Sequence, residues 1–334
     1  MAVILGPMRV ARLHGSGDLR VSEESPPTPG DGESLVRVEA VGICGSDLHW
    51  FEEGAIGDAR IETPLVVGHE LAGIVETGPL AGRRVAIDPA VPCEHCDLCR
   101  EGNANLCPTV RFAGHGPVDG GLREYMAWPD HRLHALPEAM SGETGALLEP
   151  LGVAIHAVDL AHVGVGSRAA IVGCGPIGLL LQQVLAAAGA TVALAVDPLA
   201  HRRQAAATAG AEAAIAPGDP WDGPLVDVAF EAAGTDEAVD HALRVARPGA
   251  RIMLAGIPAG DHTTFSASVA RRKGLSLVVV RRMKEVYPRA IRLVESGAVS
   301  LDGLVTHRFG LERVGEAFAV AAARDGLKVM VEPS

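Results

Sequence analysis

The sequence predicts an α/β protein in two parts, a β-rich first half and a second half built on a parallel sheet with helices on both faces. The chain has 334 residues, and at about 150 residues per domain this length suggests two domains. Up to about residue 140, short alternating runs are broken by glycine and proline. After about residue 150, apolar strands alternate with alanine-rich helices, which is typical of βαβ units.

Short strands and irregular loops are expected in the first half. Residues 35–40 alternate between apolar and polar positions, as a half-buried strand does. Residues 64–68 and 84–87 read as two further strands, and no long helix is expected there.

The second half alternates regularly between the two kinds of element. Strands are predicted at 168–172, 191–196, 226–230 and 251–255, and helices at 176–188, 199–209 and 237–246. The tail holds one helix, at 287–295, followed by short pieces that end in 328–331. No internal repeat or flexible linker interrupts this order.

Composition and charge exclude several classes of function. Hydrophobic residues are 48% and charged residues 21%, as in ordinary folded proteins. The net charge is 29 − 41 = −12, so neither nucleic acid nor an anionic membrane is an expected partner. No apolar run approaches the 18 residues or more of a bilayer span, and Met1–Leu5 is too short for a signal-peptide core. A soluble cytoplasmic protein is expected.

Four of the six cysteines are crowded into one short lobe, residues 92–108. Their spacing is Cys93-x2-Cys96-x2-Cys99-x7-Cys107. Four thiolates so close together suit a tetrahedral structural zinc, a closed site with no open position for chemistry. Without a secretory signal, this zinc is favoured over disulfides or a reduced cysteine-rich loop.

A glycine motif predicts dinucleotide binding. The strand at 168–172 runs into Gly173, Gly175 and Gly178, with Pro176 and Ile177 opening the next helix. In the motif Gly-x-Gly-x-x-Gly, the first glycine allows a tight turn and the second lets pyrophosphate approach the backbone. The third lets helix and strand pack closely. The strand before it and the helix after it are the context that this motif requires.

An acidic residue after the following strand favours NAD over NADP. Asp197 stands nineteen residues beyond Gly178, where a carboxylate binds the ribose hydroxyls and repels a 2′-phosphate. Arg202, on the next helix, could contact adenine or a phosphate, or it could be a solvated helix charge.

Three residues of the first half could hold a second metal. Cys44 follows the strand that ends near residue 42, and His69 and Glu70 come about twenty residues later. Thiolate, imidazole and carboxylate all suit zinc, and three protein ligands leave one position open for a substrate. Each of these residues alone is more often structural, so the prediction depends on their occurring together with the cysteine lobe and the glycine motif.

Together these motifs resemble those of the zinc-dependent medium-chain dehydrogenases of the alcohol dehydrogenase superfamily. The resemblance runs over nearly the whole chain, and it is carried by Gly-Ile-Cys-Gly-Ser-Asp at 42–47, Gly-His-Glu at 68–70, the cysteine lobe and the glycine motif. The polyol branch, with sorbitol, L-iditol, xylitol and L-idonate 5-dehydrogenases, is most similar. Its marks are Leu-Glu-Pro-Leu at 148–151, Val-Thr-His-Arg-Phe at 305–309 and Gly-Leu-Lys-Val-Met at 326–330.

The resemblance implies a fold and a domain plan. A GroES-like β domain would comprise residues 1–152 with 289–334, and a Rossmann domain would comprise 153–288. A homodimer or homotetramer is implied, with pairing across edge strands of the Rossmann sheet, for which 251–255 is the candidate.

The resemblance also implies roles for site residues. Cys44, His69 and Glu70 would hold a catalytic zinc, so that two zincs are expected per chain. Glu149 would be a fourth ligand or would hold the metal-bound water; an acidic residue in the first turn of a helix is the alternative. Ser46 and His49 would pass the alcohol proton outward. Trp50 and Phe112 would line the substrate pocket, and Arg282 would bind a substrate hydroxyl; the alternatives are core packing for Phe112 and a solvated surface charge for Arg282.

The reaction expected is reversible oxidation of a secondary alcohol to a ketone, with hydride transfer to NAD. A polyol or sugar acid is the expected small-molecule substrate, although Met283 and Trp50 stand where the polyol enzymes usually carry tyrosine. The loop at 76–83 is also shorter than usual. The alternatives are threonine, an aldose or a simple alcohol and, least favoured, a non-catalytic binding relative.

Overall fold

The computed structural model describes residues 6–334, except for the side chain of Asp261. The opening stretch Met1–Leu5 lies outside the described residues. The chain forms two compact units: one comprises the described residues up to Glu149 together with Leu301–Ser334, and the other is Pro150–Ser300. The expected boundaries at 152/153 and 288/289 remain a prediction about separately folding domains.

The first unit is built on strands. Their bounds are β1 Met8–Leu13, β2 Leu19–Glu24, β3 Glu33–Gly42, β4 Ala55–Ile56, β5 Ala59–Arg60, β6 Glu70–Val75, β7 Arg84–Ile87, β8 Ala90–Val91, β9 Arg111–Phe112, β10 Tyr125–Pro129, β11 Leu133–Ala135, β18 Val305–Gly310 and β19 Lys328–Glu332. Helices α1 Gly45–Glu53, α2 Asp97–Arg100 and α9 Val314–Ala323 join them. The main sheet has the order β11-β7-β6-β3-β19-β18, and β10 also pairs with β3.

The register of this sheet brings motifs from distant parts of the chain together. Strand β3 is antiparallel to both β6 and β19, with Gly42 opposite Glu70 on one side and opposite Met330 on the other. The expected strand at 64–68 does not form: within it only Leu65 makes an isolated bridge, to Leu13. That segment instead turns through Gly68, whose φ is 95°, and presents His69 and Glu70 beside the end of β3.

The second unit contains a six-stranded sheet in which every pairing is parallel. Its elements are β12 Arg168–Val172, α4 Pro176–Ala187, β13 Thr191–Val196, α5 Ala200–Thr208, β14 Ala214–Ile215, β15 Val226–Glu231, α6 Asp236–Val245, β16 Ala246–Leu254, α7 Ala267–Lys273, β17 Ser276–Val279 and α8 Tyr287–Glu295. The order β14-β13-β12-β15-β16-β17 is that of a doubly wound dinucleotide-binding fold. The predicted fold class is confirmed.

One predicted edge strand lies in the interior of this sheet. Residues 251–255 belong to β16, which is paired on both sides, by β15 and by β17. The edge strands are β14 and β17, and Val279 of β17 is 73% exposed. The prediction that 251–255 is an edge strand is therefore wrong. It failed because the sequence gives little indication of the short strand that follows α7.

The helix α3, Gly142–Ala161, was not expected at this length. Its 20 residues begin within the predicted β-rich half and contain Pro150. It is the one helix among residues 6–334 that is long and apolar enough to cross a membrane, judged by length and composition only, and 78% of its apolar window is buried inside the protein. The core helix of a soluble protein passes the same test. Its acidic residues Glu143 and Glu149 interrupt the apolar run on which the sequence prediction relied.

Candidate active site and cofactor site

Asp47 fixes the two segments that carry the predicted zinc ligands. Cys44 is the N-cap of α1, and its backbone N–H donates to Asp47 Oδ2 at 2.9 Å. Asp47 Oδ1 accepts from the backbone N–H of Gly68 at 3.1 Å and lies 3.3 Å from Nδ1 of His69. This fully buried carboxylate therefore holds the Cys44 turn beside the His69 turn. Asp47 belongs to the Gly-Ile-Cys-Gly-Ser-Asp motif at 42–47, but the sequence alone predicts no role for it.

The imidazole of His69 lies between Cys44 and Ser46. It hydrogen-bonds the Cys44 thiol, and its Nε2 is 3.5 Å from Ser46 Oγ. Burial disfavours a charged imidazole, but Asp47 and Cys44 outweigh that effect and raise the pKa of His69 well above its ordinary value. The ring of Phe112 packs on this imidazole with centroids 5.4 Å apart. Thiol, imidazole and hydroxyl thus meet at one point beneath an aromatic ring.

Glu70 points to a buried lysine. Lys328 Nζ donates to Glu70 Oε1 at 2.8 Å, to Oε2 at 2.7 Å and to the carbonyl of Ile43 at 3.0 Å. Both side chains are nearly inaccessible, 4% and 1% exposed. Because the register of β3 places β6 and β19 on its two sides, residues 70 and 328 meet across the sheet although they are far apart in sequence. Sequence analysis did not assign Lys328 a role.

Glu149 is a second buried carboxylate of this region. It lies in the interior of α3, well past Gly142, so the alternative that it is a first-turn acid is wrong. Burial raises the pKa of Glu149 to about 7, and Glu70 adds to the rise while His69 and Lys328 oppose it. These interactions place Glu149 in the same electrostatic environment as His69 and Glu70.

The charges of this cluster fit a divalent cation. A thiolate at Cys44 and a carboxylate at Glu149 would neutralise Zn²⁺, since Lys328 already neutralises Glu70. A zinc ion bound here would displace any protons carried by the Cys44 thiol and the Glu149 carboxyl group. In the described residues, neither Glu70 nor Glu149 completes a set of three ligand atoms within 4.8 Å of one another with Cys44 and His69, and the Glu70 oxygens face Lys328.

The other predicted residues of the site lie in different surroundings. His49 Nδ1 is 2.8 Å from Oε1 of Glu53 one turn further along α1. Trp50 is only 2% exposed and packs edge-on against His115, with ring centroids 5.3 Å apart. Arg282 belongs to the second unit, after β17, and has a φ of 53°. Met283 is buried there against Gly152.

The cysteine lobe has the geometry of a four-thiolate metal site. The sulfur atoms of Cys93, Cys96, Cys99 and Cys107 all lie within 4.8 Å of one another. The backbone N–H groups of His95 and Cys96 lower the pKa of Cys93 to about 6, whereas burial and the Cys96 side chain raise that of Cys99 to about 12. A divalent cation bound among the four sulfur atoms would displace the thiol protons.

Arg132 anchors this lobe to the β-rich unit. Its guanidinium donates to Glu94 Oε1 at 2.7 Å, between the first two cysteines, and to Asp88 Oδ2 at 3.3 Å, beside β7. The arginine side chain is only 9% exposed. The lobe is thus held at its base by the buried guanidinium of Arg132, and its four sulfur atoms lie together.

The glycine motif has the three geometries that a dinucleotide loop requires. Gly173 has a φ of 100°, and a Cβ there would lie 2.8 Å from the backbone of Ala232 and Ala233. A Cβ on Gly178 would lie 2.0 Å from the carbonyl oxygen of Gly173, so only glycine lets α4 approach β12. A Cβ on Gly175 would meet only the guanidinium of Arg202, at 3.4 Å, which leaves its face open for a ligand.

Asp197 lies at the end of β13 beside this loop. Its Oδ2 accepts from the backbone N–H of Cys174 and its Oδ1 from that of Leu199, both at 2.8 Å. The carboxylate is 3% exposed. Arg203 donates to the carbonyl oxygens of Asp197 and Pro198, while the Arg202 guanidinium lies over Gly175. One carboxylate and one guanidinium therefore border the predicted adenosine site.

Comparison with known families covers both units. Residues 30–138 match the alcohol dehydrogenase GroES-like domain, and residues 176–296 match the family described as zinc-binding dehydrogenase. Sorbitol dehydrogenase of Macaca fascicularis is 36% identical, over 96% of this chain and 94% of its own length.

Solved structures agree with that assignment. A zinc-binding dehydrogenase of Sinorhizobium meliloti, bound to NADP, is 32% identical with a TM-score of 0.89, and the match covers 98% of this chain and all of the other. L-idonate 5-dehydrogenase of Escherichia coli is 28% identical with a TM-score of 0.91, covering 98% of this chain and 99% of the other. The chain belongs to the zinc-dependent alcohol dehydrogenase superfamily of medium-chain dehydrogenases.

Proposed function

We propose that this enzyme oxidises a secondary alcohol of a polyol or sugar acid to a ketone, reversibly, with NAD as hydride acceptor. The observation that carries the proposal is the meeting of Cys44, His69 and Ser46 under Phe112, beside the buried carboxylates of Glu70 and Glu149. A binding protein has no need of a metal position left open next to a hydroxyl group that can move protons.

Cys44, His69 and Glu149 are proposed to hold the catalytic zinc, with Glu70 kept beside them by Lys328. This refines the expected triad of Cys44, His69 and Glu70. Zinc bound there would supply Lewis-acid activation of the alcohol hydroxyl. Asp47 orients the His69 ring through Nδ1, which leaves Nε2 for the metal, and such outer carboxylates are typical of zinc-binding histidines.

Proton removal is assigned to Ser46 and the His49–Glu53 pair. The Ser46 hydroxyl lies beside the ring of His69, where it can accept the substrate proton and donate its own outward. His49 is held at 2.8 Å from Glu53, whose side chain is 42% exposed. The proton expected to pass from Ser46 to His49 could then leave to solvent through Glu53.

Hydride acceptance is assigned to NAD bound by the glycine loop and Asp197. The dinucleotide would supply the hydride acceptor, and the protein supplies its position. The buried charge of Asp197 disfavours a 2′-phosphate, although Arg202 lies nearby and a structural relative is bound to NADP.

The substrate class rests on the relatives. Sorbitol dehydrogenases match over nearly the whole chain, and one structural neighbour acts on L-idonate, according to its name. The expected homodimer or homotetramer and the cytoplasmic location remain predictions. If subunits pair through the parallel sheet, the available edges are β14 and β17 and not 251–255.

The test is a matched pair of alcohols. We expect a polyol such as xylitol to be oxidised with a much larger kcat/KM than 2-butanol, because a site built to hydrogen-bond hydroxyls discriminates strongly against analogues that lack them. A product identified as a ketose supports oxidation at a secondary carbon. Equal kcat/KM values for the two alcohols would contradict the polyol assignment.

Replacing Asp197 with asparagine should shift the cofactor preference. Without the negative charge, the ratio of kcat/KM for NADP to that for NAD is expected to rise about tenfold or more, because juxtaposed like charges cost several kcal/mol. Initial rates with each cofactor measure this ratio. Asp222→Asn, at an exposed position of the same unit, is the control and should leave it unchanged; an unchanged ratio in Asp197→Asn would contradict the role of Asp197.

Replacing Cys96 with serine should remove one zinc and lower stability. The binding free energy of a structural zinc, about 10–16 kcal/mol in small zinc modules, acts as folding energy. We expect metal analysis to fall from two zincs per chain to one, with a clear decrease in unfolding temperature. Cys174→Ser, which alters a buried cysteine outside the lobe, should retain both zincs. Two zincs in Cys96→Ser would refute the four-thiolate site.

A further inference from the structure

Glu231 is a buried carboxylate of the second unit that the proposed reaction does not use. It ends β15 and is 2% exposed. Within residues 6–334 no salt bridge involves it. A buried charge without a counter-ion is costly unless hydrogen bonds satisfy it. The hydrogen-bond partners of Glu231 therefore indicate its role.

Glu231 accepts backbone N–H groups from two loops, one through its carboxylate and one through its backbone carbonyl. Its Oε1 accepts from Ala233 and from Gly234, both at 2.6 Å. After β16, the N–H groups of Ala255 and Gly256 donate to the backbone carbonyl of Glu231 at 2.8 and 3.1 Å, and a Cβ on Gly256 would lie 2.6 Å from Oε2 and 2.2 Å from the Gly234 nitrogen. Glu231 therefore fixes the loop after β15 against the loop after β16.

These loops lie where the sheet reverses direction. From β12 the chain proceeds outward through β13 to β14 and then returns to place β15 on the other side of β12. In doubly wound sheets, dinucleotides bind outside the carboxyl ends of the strands at this reversal. Contact with the glycine loop is direct, because Gly173 packs on the backbone of Ala232 and Ala233, and Ala232 N donates to the Val172 carbonyl at 2.8 Å.

We propose that Glu231 is a positioning residue for the nicotinamide half of the cofactor. The adenosine half is served by Asp197, at the end of β13, and the sheet consists of two mononucleotide-binding halves on either side of the reversal. Glu231 belongs to the other half. It acts through the loops 232–235 and 255–257, whose shape it fixes. The inference rests on the proposed use of a nicotinamide dinucleotide.

The test compares the binding of NADH with that of AMP, without any alcohol substrate. For Glu231→Gln, which weakens the hydrogen bonds of the side chain to the 232–235 loop and alters its packing on Gly256, we expect the Kd for NADH to rise about tenfold. The Kd for AMP, which occupies only the adenosine half, should stay within about twofold. NADH fluorescence and calorimetry with AMP give the two values.

Two further variants keep the test decisive. Gly256→Ala adds a methyl group against Glu231 and Gly234, so it should show the same selective loss even if Glu231→Gln fails to fold. Glu237→Gln, at an exposed position of α6, should bind both ligands normally. Unchanged NADH affinity in the folded variants, or an equal loss for NADH and AMP, would overturn the proposal. Because no alcohol is present, a failed polyol assay would leave this result standing, and the reverse also holds.

Discussion

Replacing Cys44 with serine is expected to abolish turnover while leaving the fold intact. Serine is a good N-cap residue, and Asp47 can still accept from the backbone N–H of residue 44, so α1 should begin as before. The thiolate ligand is lost, however. We expect the loss of kcat to exceed the roughly 10- to 100-fold cost of removing an outer partner of a metal ligand.

The measurements for Cys44→Ser are turnover, zinc content and unfolding temperature. We expect one zinc per chain and an unfolding temperature close to that of the parent. The matched control is Cys96→Ser, which should also lose one zinc but should lose stability with it. Near-normal turnover in Cys44→Ser would refute the catalytic zinc assignment.

Replacing Lys328 with methionine is expected to be among the most destabilising single changes in the first unit. Methionine nearly matches the volume of lysine but leaves the Glu70 carboxylate buried without a counter-ion. Removing one partner of a buried ion pair typically costs about 3–5 kcal/mol. We also expect weaker zinc binding or an altered ligand set, because Glu70 would be released toward Cys44 and His69.

Two readouts separate these effects. Chemical denaturation measures the free energy of unfolding, and the absorption spectrum of the cobalt-substituted enzyme reports on the ligands. Glu70→Gln combined with Lys328→Met should recover part of the stability, since the unpaired charge is then gone. Lys284→Met, at an exposed position, is the control. Parental stability and an unchanged cobalt spectrum in Lys328→Met would contradict the role given to Lys328.

Much of the second unit could be predicted from sequence because its residues act locally. The strand 168–172, the glycines after it and Asp197 follow one another within a short stretch of sequence. The motif predicts glycine at each of its three positions for a steric reason. Strands β12 and β13 and helix α8 have the predicted bounds. The edge strand β17 could not be predicted because four residues flanked by turns have no distinct periodicity.

The first unit could be predicted only in part, because its site is assembled across the sheet. Cys44 and His69 were found through their motifs. The pairing of Glu70 with Lys328 depends on β3 lying between β6 and β19, which no local pattern reveals. To predict the position of Glu149 within α3, the start of that helix must be known. Pro150 obscured this start because proline usually indicates the first turn of a helix.

The formation of reduced nicotinamide by the zinc-loaded enzyme tests the central claim most directly. Absorbance is followed with NAD and with NADP separately, on sorbitol, xylitol, L-idonate, threonine, glucose and simple secondary alcohols. We expect turnover of a polyol or L-idonate with NAD, and loss of that turnover when zinc is removed. Turnover confined to glucose, threonine or a simple alcohol, or turnover that survives removal of the metal, would contradict the account.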